Sequence, residues 1–145
     1  MKIRIITISQ SKEPAATDLF SNYIKRLKHY CILETIALKS SNQKEEAAAV
    51  LKKISTDEEL ILLDETGKEF SSREFSSWLQ KKLNGSKNLC FVIGSAYGFD
   101  ESLKKKCSMM MTLSQMTLPH QLAKVLFAEQ LYRAFTILRN EKYHH

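Results

Sequence analysis

The chain has 145 residues, which fits one domain with a core that needs neither disulfide nor metal. Apolar residues make up 43% and charged residues 26%, which excludes wholesale disorder and low-complexity classes. The net charge of +6 admits a polyanionic partner without demanding one, and four Gly with two Pro argue against a turn-rich all-β fold.

Taken in chain order, strands and helices alternate. Residues 1–8 are rich in Ile and read as a strand, since their apolar run is too short for a signal peptide. A helix is expected from Pro14 to His29, with Pro14 in its first turn. Ile32–Leu38 reads as a second strand and Gln43–Ile54 as an Ala-rich helix. Glu59–Leu63 is a short strand that runs into Asp64-Glu65-Thr66-Gly67, a polar turn with Gly67 expected at positive φ. Ser71–Leu83 is a helix capped by Ser71 or Ser72, with Glu74 completing a capping box and Asn84-Gly85 stopping it. Leu89–Ile93 is a continuous apolar run, the pattern of a strand buried on both faces. Asp100–Lys106 is a short helix, Met109–Leu113 a further strand, and Pro119–Leu138 a long last helix. This order implies an α/β fold with a mainly parallel sheet.

Cys31, Cys90 and Cys107 are odd in number and widely spaced, so they form no disulfide framework and no zinc or redox pair. Reduced thiols and the lack of a membrane-length apolar stretch point to a cytoplasmic protein that needs no metal. Residues 1–56 hold 10 Lys and Arg against 5 Asp and Glu, whereas residues 57–145 hold 12 against 11. The excess around Lys25, Arg26, Lys28, Lys52 and Lys53 is either a solvated helix face or an RNA-contacting surface, with Tyr23 and Tyr30 close by.

In a parallel sheet, ligands bind where strands end. Three such loops stand out: Leu63 through Gly67, Val92 through Phe99, and Leu113 through His120. Gly94-Ser95-Ala96-Tyr97-Gly98 is spaced G-x-x-x-G and lacks a following Gly-Lys-Ser/Thr. It is neither a dinucleotide fingerprint nor a P-loop, which favours a ligand without phosphates. The third loop enters the last helix, with Thr117 or Leu118 at the cap and Thr the better residue there. Met109, Met110, Met111 and Met116 read as core side chains, and His120 as a structural hydrogen-bonder.

The last helix is apolar nearly all round from Leu122 to Phe135. One sheet face cannot cover all of it, so a second copy of the chain is the simplest partner. Glu129 and Arg133 are spaced to pair. The tail, Arg139 to His145, is either a frayed terminus or a segment that folds into an active site.

Ser114-Gln115-Met116-Thr117-Leu118-Pro119-His120-Gln121, then Glu129-Gln130-Leu131-Tyr132-Arg133-Ala134-Phe135, then Tyr143-His144-His145, resemble the RlmH family of SPOUT-class RNA methyltransferases. The likeness spans the whole chain as a single SPOUT domain, residues 1–145. It implies an α/β knot, in which a mainly parallel sheet is flanked by helices and the C-terminal segment threads a loop, and a homodimer. It implies S-adenosylmethionine held by Leu63, Gly94, Leu113, Ser114, Gln115, Met116, Thr117 and Leu118. It further implies methylation at N3 of a pseudouridine in 23S rRNA of the large ribosomal subunit. His144 is then the expected proton acceptor, with Tyr143 and Arg139 orienting the substrate. Ser95 stands where the family usually has a second glycine. If that position required positive φ, Ser would cost about 1 kcal/mol or more. A related knotted tRNA methyltransferase, or a non-catalytic ribosome-binding factor with the same fold, are the alternative readings.

Overall fold

A computed structural model describes residues 1–9 and 13–145. Strand β1 (Lys2–Ser9) leads to helix α1 (Pro14–Leu27), then β2 (Ile32–Lys39) and α2 (Gln43–Lys53). These are followed by β3 (Glu58–Glu69), α3 (Ser72–Leu83), β4 (Asn88–Ile93), α4 (Glu101–Lys106), β5 (Met109–Thr112) and α5 (His120–Leu138). The strands are ordered β2-β1-β4-β3-β5, and every pair is parallel.

Alternation along the central strands builds two cores, one on each face of the sheet. Leu89, Phe91 and Ile93 of β4 join Ile3 and Ile5 of β1 under α1, α3 and α5. Cys90 and Val92 point the other way, with Ile6, Ile8 and Leu62, against Ala47 and Val50 of α2 and Leu103 of α4. That is why the β4 run carries no polar alternation. Burial pushes the Cys90 thiol up to about 12 and the Cys31 thiol up to about 11, so both stay protonated and inert.

Local signals set most boundaries. Ser71 accepts from Glu74 N at 3.1 Å while Glu74 accepts from Ser71 N at 2.7 Å, a complete capping box for α3. Asn42 caps α2 through Glu45 N, and Asp100 caps α4 through Ser102 N. Helix α1 stops at Leu27, two residues before the expected end, with Lys28 as its C-cap.

Three expectations are corrected, two at β3 and one at α5. β3 does not end at Leu63 but runs on to Glu69. Met111 of β5 pairs first with Leu63 and again with Lys68, so residues 64–67 bulge out between two ladders. The expected turn survives inside this bulge, where Thr66 N donates to Asp64 Oδ2 at 3.1 Å. Gly98, not Gly67, takes the positive φ, at 74°. Gly67 is needed for space, because a Cβ there would lie 2.6 Å from the backbone of Met110 and Met111. The third correction concerns α5. Neither Thr117 nor Leu118 caps it; Pro119 occupies the cap position and makes no side-chain bond.

Each helix returns antiparallel to the strands, so its last turn lies at the sheet edge where strands begin. Lys52 and Lys53 of α2, Lys81 and Lys82 of α3, and Lys104 to Lys106 of α4 stand in such last turns, complementing the helix dipoles. Part of the basic excess therefore faces away from the strand ends where a ligand would sit. Arg4 is also structural: Nη1 donates to Lys53 O at 2.7 Å and to the Glu58 carboxylate at 2.8 Å.

Candidate functional site: a cavity at the strand ends and a docked tail

The bulge of β3 and the carboxyl ends of β4 and β5 converge on a cavity of about 450 Å³. All three expected loops line it. Leu63, Gly94, Leu113, Ser114, Met116, Thr117 and Leu118 are brought together there, and Gln115 is not among the lining residues. The lining also takes in Asp64, Glu65, Phe99 and His120, which belong to the three expected loops but were not among the expected cofactor contacts. Met116 is 78% exposed at the cavity mouth, so it is no core residue, whereas Met111 is buried beneath.

Hydrogen bonds hold the β5–α5 segment in shape. Thr112 Oγ1 donates to Ser114 O at 2.6 Å and accepts from Ser114 N at 3.2 Å. Met116 N donates to Ser114 Oγ at 2.9 Å, and Thr117 Oγ1 donates to Glu65 Oε2 at 2.7 Å. Thr117 thus ties the third loop to the first instead of capping a helix. At the second loop, a Cβ on Gly94 would lie 2.9 Å from the Phe99 ring, so the backbone there is bare by necessity. Among the described residues Asn140 is the one non-glycine with positive φ, so Ser95 carries no such strain.

The cavity lining contains Asp64 and Glu65 but no Lys or Arg. Two carboxylates without a balancing cation repel phosphate and favour a ligand bearing positive charge. Among the described residues no group of three or more His, Cys, Asp and Glu could hold a metal ion.

Arg139, Tyr143 and His144 do not line this cavity. The tail turns back at Asn140 and packs on α5 and α1. Tyr30 donates to Glu141 Oε2 at 2.7 Å, and Arg139 lies 4.6 Å over the Tyr30 ring. Burial, then the Glu141 carboxylate, pushes the Tyr30 hydroxyl up to about 12. Glu129 Oε1 accepts from Arg133 Nη2 at 2.5 Å and from Tyr143 at 3.2 Å. The expected Glu129–Arg133 pair is present and does more than brace the helix, because it receives the tail. Arg26 sits 5.5 Å over Tyr132, whose ring meets Tyr143 edge-on at 4.8 Å. Tyr23 and Tyr30 belong to this same cluster of tyrosines and guanidinium groups.

Arg133 Nη1 lies 3.1 Å from His144 Nδ1. A guanidinium only donates, so Nδ1 is the acceptor and the neutral ring carries its proton on Nε2. Desolvation, followed by the positive charge of Arg73 and Arg133, holds the imidazole below its usual range. Arg73, from the first turn of α3, has no sequence signal that links it to the tail.

Helix α5 lies between α1 and α3, which accounts for much of its apolar surface. Leu122 and Leu126 nonetheless remain 52% and 43% exposed.

A wholly parallel sheet whose loops close on a cavity with no lining Lys or Arg defines an α/β protein with a candidate small-molecule site. The family described as "Predicted SPOUT methyltransferase" matches residues 1–144, and the chain belongs to it. It is 48% identical to the ribosomal RNA large subunit methyltransferase H of Flavobacterium johnsoniae, over 100% of this chain and 99% of that protein. It is 37% identical to the protein of the same name from Cytophaga hutchinsonii, with 100% of both chains covered. The SpoU methyltransferase AviRb of Streptomyces viridochromogenes, solved with AdoMet, superposes with a TM-score of 0.50 at 11% identity. That superposition covers 95% of this chain and 60% of AviRb, and shows the shared fold.

Proposed function

We propose that this chain is an S-adenosylmethionine-dependent methyltransferase that modifies N3 of a pseudouridine in 23S rRNA. The observation that carries the reading is the cavity built by the β3 bulge and the ends of β4 and β5, lined by two carboxylates and no Lys or Arg. Such a lining fits a sulfonium donor with no phosphate, and the full-length relatives named for large-subunit rRNA methylation support the substrate class. When bound, S-adenosylmethionine supplies a methyl group activated by positively charged sulfur.

The chain's own residues do the rest. Leu63, Gly94 and the Leu113–Leu118 segment hold the donor, with Gln115 supplying backbone continuity between lining residues. Asp64 and Glu65 provide negative charge at the rim. His144 takes the N3 proton, while Arg139 and Tyr143 orient the base or its phosphates. In the docked tail the Nδ1 lone pair is engaged by Arg133, so His144 becomes a base only after the tail leaves that guanidinium.

Because the tail does not line the cavity of its own protomer, a second copy completes the site. Leu122 and Leu126 form the apolar face for a homodimer within a knotted, one-domain SPOUT fold. The protein acts in the cytoplasm on the large subunit, whose surface adds to a small basic enzyme's limited RNA-reading area. No helix among the described residues is long and apolar enough to cross a membrane.

The test is transfer of a labelled methyl group to purified large subunits and to tRNA, with the product nucleoside identified by mass spectrometry. Label in a methylated pseudouridine of 23S rRNA is the expected result. Label in tRNA would redirect the substrate, and ribosome binding without transfer would indicate a non-catalytic factor.

A further inference from the structure

The cavity's second loop is held from outside by a helix that does not reach the cavity. Glu46, in the first turn of α2, is buried with 4% of its surface exposed. Its Oε2 accepts from Ser40 Oγ and from Ser41 N, each at 2.9 Å. Its Oε1 accepts from Ser95 Oγ at 2.8 Å. Ser95 Oγ in turn accepts from Tyr97 N at 3.3 Å, and Gln43, one turn before Glu46, donates its amide to Tyr97 O. The turn closes with Gly98 N donating to Ser95 O at 3.3 Å, and Gly98 adopts positive φ.

Burying a carboxylate is costly unless several donors satisfy it. Helix α2 already has its own cap in Asn42, so it does not need Glu46 for its terminus. The Glu46 bonds instead join two other segments: the β2–α2 connection and the Gly94–Gly98 loop. Gly94, Ser95, Ala96 and Gly98 all line the cavity. A glycine at position 95 would leave α2 nothing to grip by side chain. The serine gives Glu46 a charge-assisted bond to the loop.

We propose that Glu46 is a positioning residue that sets affinity for the methyl donor by fixing the Gly94–Gly98 backbone through Ser95. This rests on the reading of the cavity as the donor site. A loop already in its bound shape does not have to be ordered when the ligand arrives. The gain is the same before and during methyl transfer, so it acts on KM and not on kcat.

The experiment is calorimetry of the full chain with S-adenosylhomocysteine, together with steady-state methyl transfer to large subunits. The variants are Ser95→Ala, Glu46→Gln and the double variant. Ser95→Ala and Glu46→Gln should each weaken binding about three- to tenfold, the worth of one ordinary hydrogen bond. The donor KM should rise by the same factor while kcat stays within about twofold. The double variant should be no weaker than the poorer single one, since both changes act through the same Glu46–Ser95 contact. Thermal melting of each variant reports any loss of fold, and Ser95→Ala, which removes one half-buried oxygen, carries the test if Glu46→Gln unfolds. Unchanged binding by folded Ser95→Ala, a fall in kcat with KM constant, or multiplicative losses in the double variant would each overturn the proposal. A wild-type chain that takes up no S-adenosylhomocysteine would instead overturn the donor-site reading, and the proposal with it.

Discussion

Thr117 donates its hydroxyl to Glu65 at 2.7 Å, and this single bond joins the segment before α5 to the bulge of β3 across the cavity mouth. Both partners line the cavity, so the bond fixes the spacing of its two walls. Thr117→Val keeps the shape and removes the donor. It should weaken S-adenosylhomocysteine about three- to tenfold by calorimetry. The melting temperature should barely move, because both groups are exposed and regain water when parted.

Gly67 offers a test of the sheet edge. Its α-carbon faces the backbone of Met110 and Met111 so closely that a methyl group has no room. Gly67→Ala must push β5 away from β3 and disturb the ladder at Lys68 and Glu69. A loss of about 1–3 kcal/mol is expected in chemical denaturation, as for overpacked cores. Gly85, where an added Cβ meets one carbonyl oxygen at 3.3 Å, should tolerate the same change with a much smaller loss.

Fold class and the loops that line the cavity were both legible because they depend on local pattern. The β4 run without polar alternation announced a strand covered on both faces, and Leu89 to Ile93 divides between the two cores. Ser71 and Glu74 announced a helix start through chemistry confined to four residues. What local pattern could not supply is pairing between distant segments. The extension of β3 to Glu69 depends on Met111 serving two partners, and no propensity in Lys68 or Glu69 signals that. Thr117 looked like a cap because Glu65, 52 residues away in sequence, is invisible to a local rule. The roles of Arg73 and Glu46 are hidden for the same reason.

The apolar ridge on α5 predicts the oligomeric state. Leu122 and Leu126 are one helical turn apart and more than two-fifths exposed, although α1 and α3 flank the same helix. Leu126→Lys should leave the protomer folded, since the site is open to water. A charge at the centre of a two-fold interface would meet its own symmetry mate, so sedimentation should show a monomer. Turnover on large subunits should be lost with the dimer, while donor binding within each cavity falls less.

His144 predicts a pH dependence whose direction follows from its neighbours. Burial disfavours the charged ring, and Arg73 and Arg133 add like-charge repulsion, with His145 contributing in the same direction and Glu129 opposing. The folded-state value is therefore depressed, so the neutral ring persists to lower pH than for a free histidine. Since the free enzyme holds its tail docked, kcat/KM should hold below the usual imidazole range and fall only as His144 gains its proton. Arg73→Ala removes one source of repulsion in the docked tail, so the acid limb of the kcat/KM profile, which reports the free enzyme, should move to higher pH. Arg73 does not line the cavity, and donor affinity should not change. His144→Ala should cut kcat by about 10²-fold or more, the worth of a positioned general base. It should also abolish that acid limb and leave S-adenosylhomocysteine binding within about twofold. An acid limb that survives in His144→Ala would assign the titration, and the proton transfer, to another group.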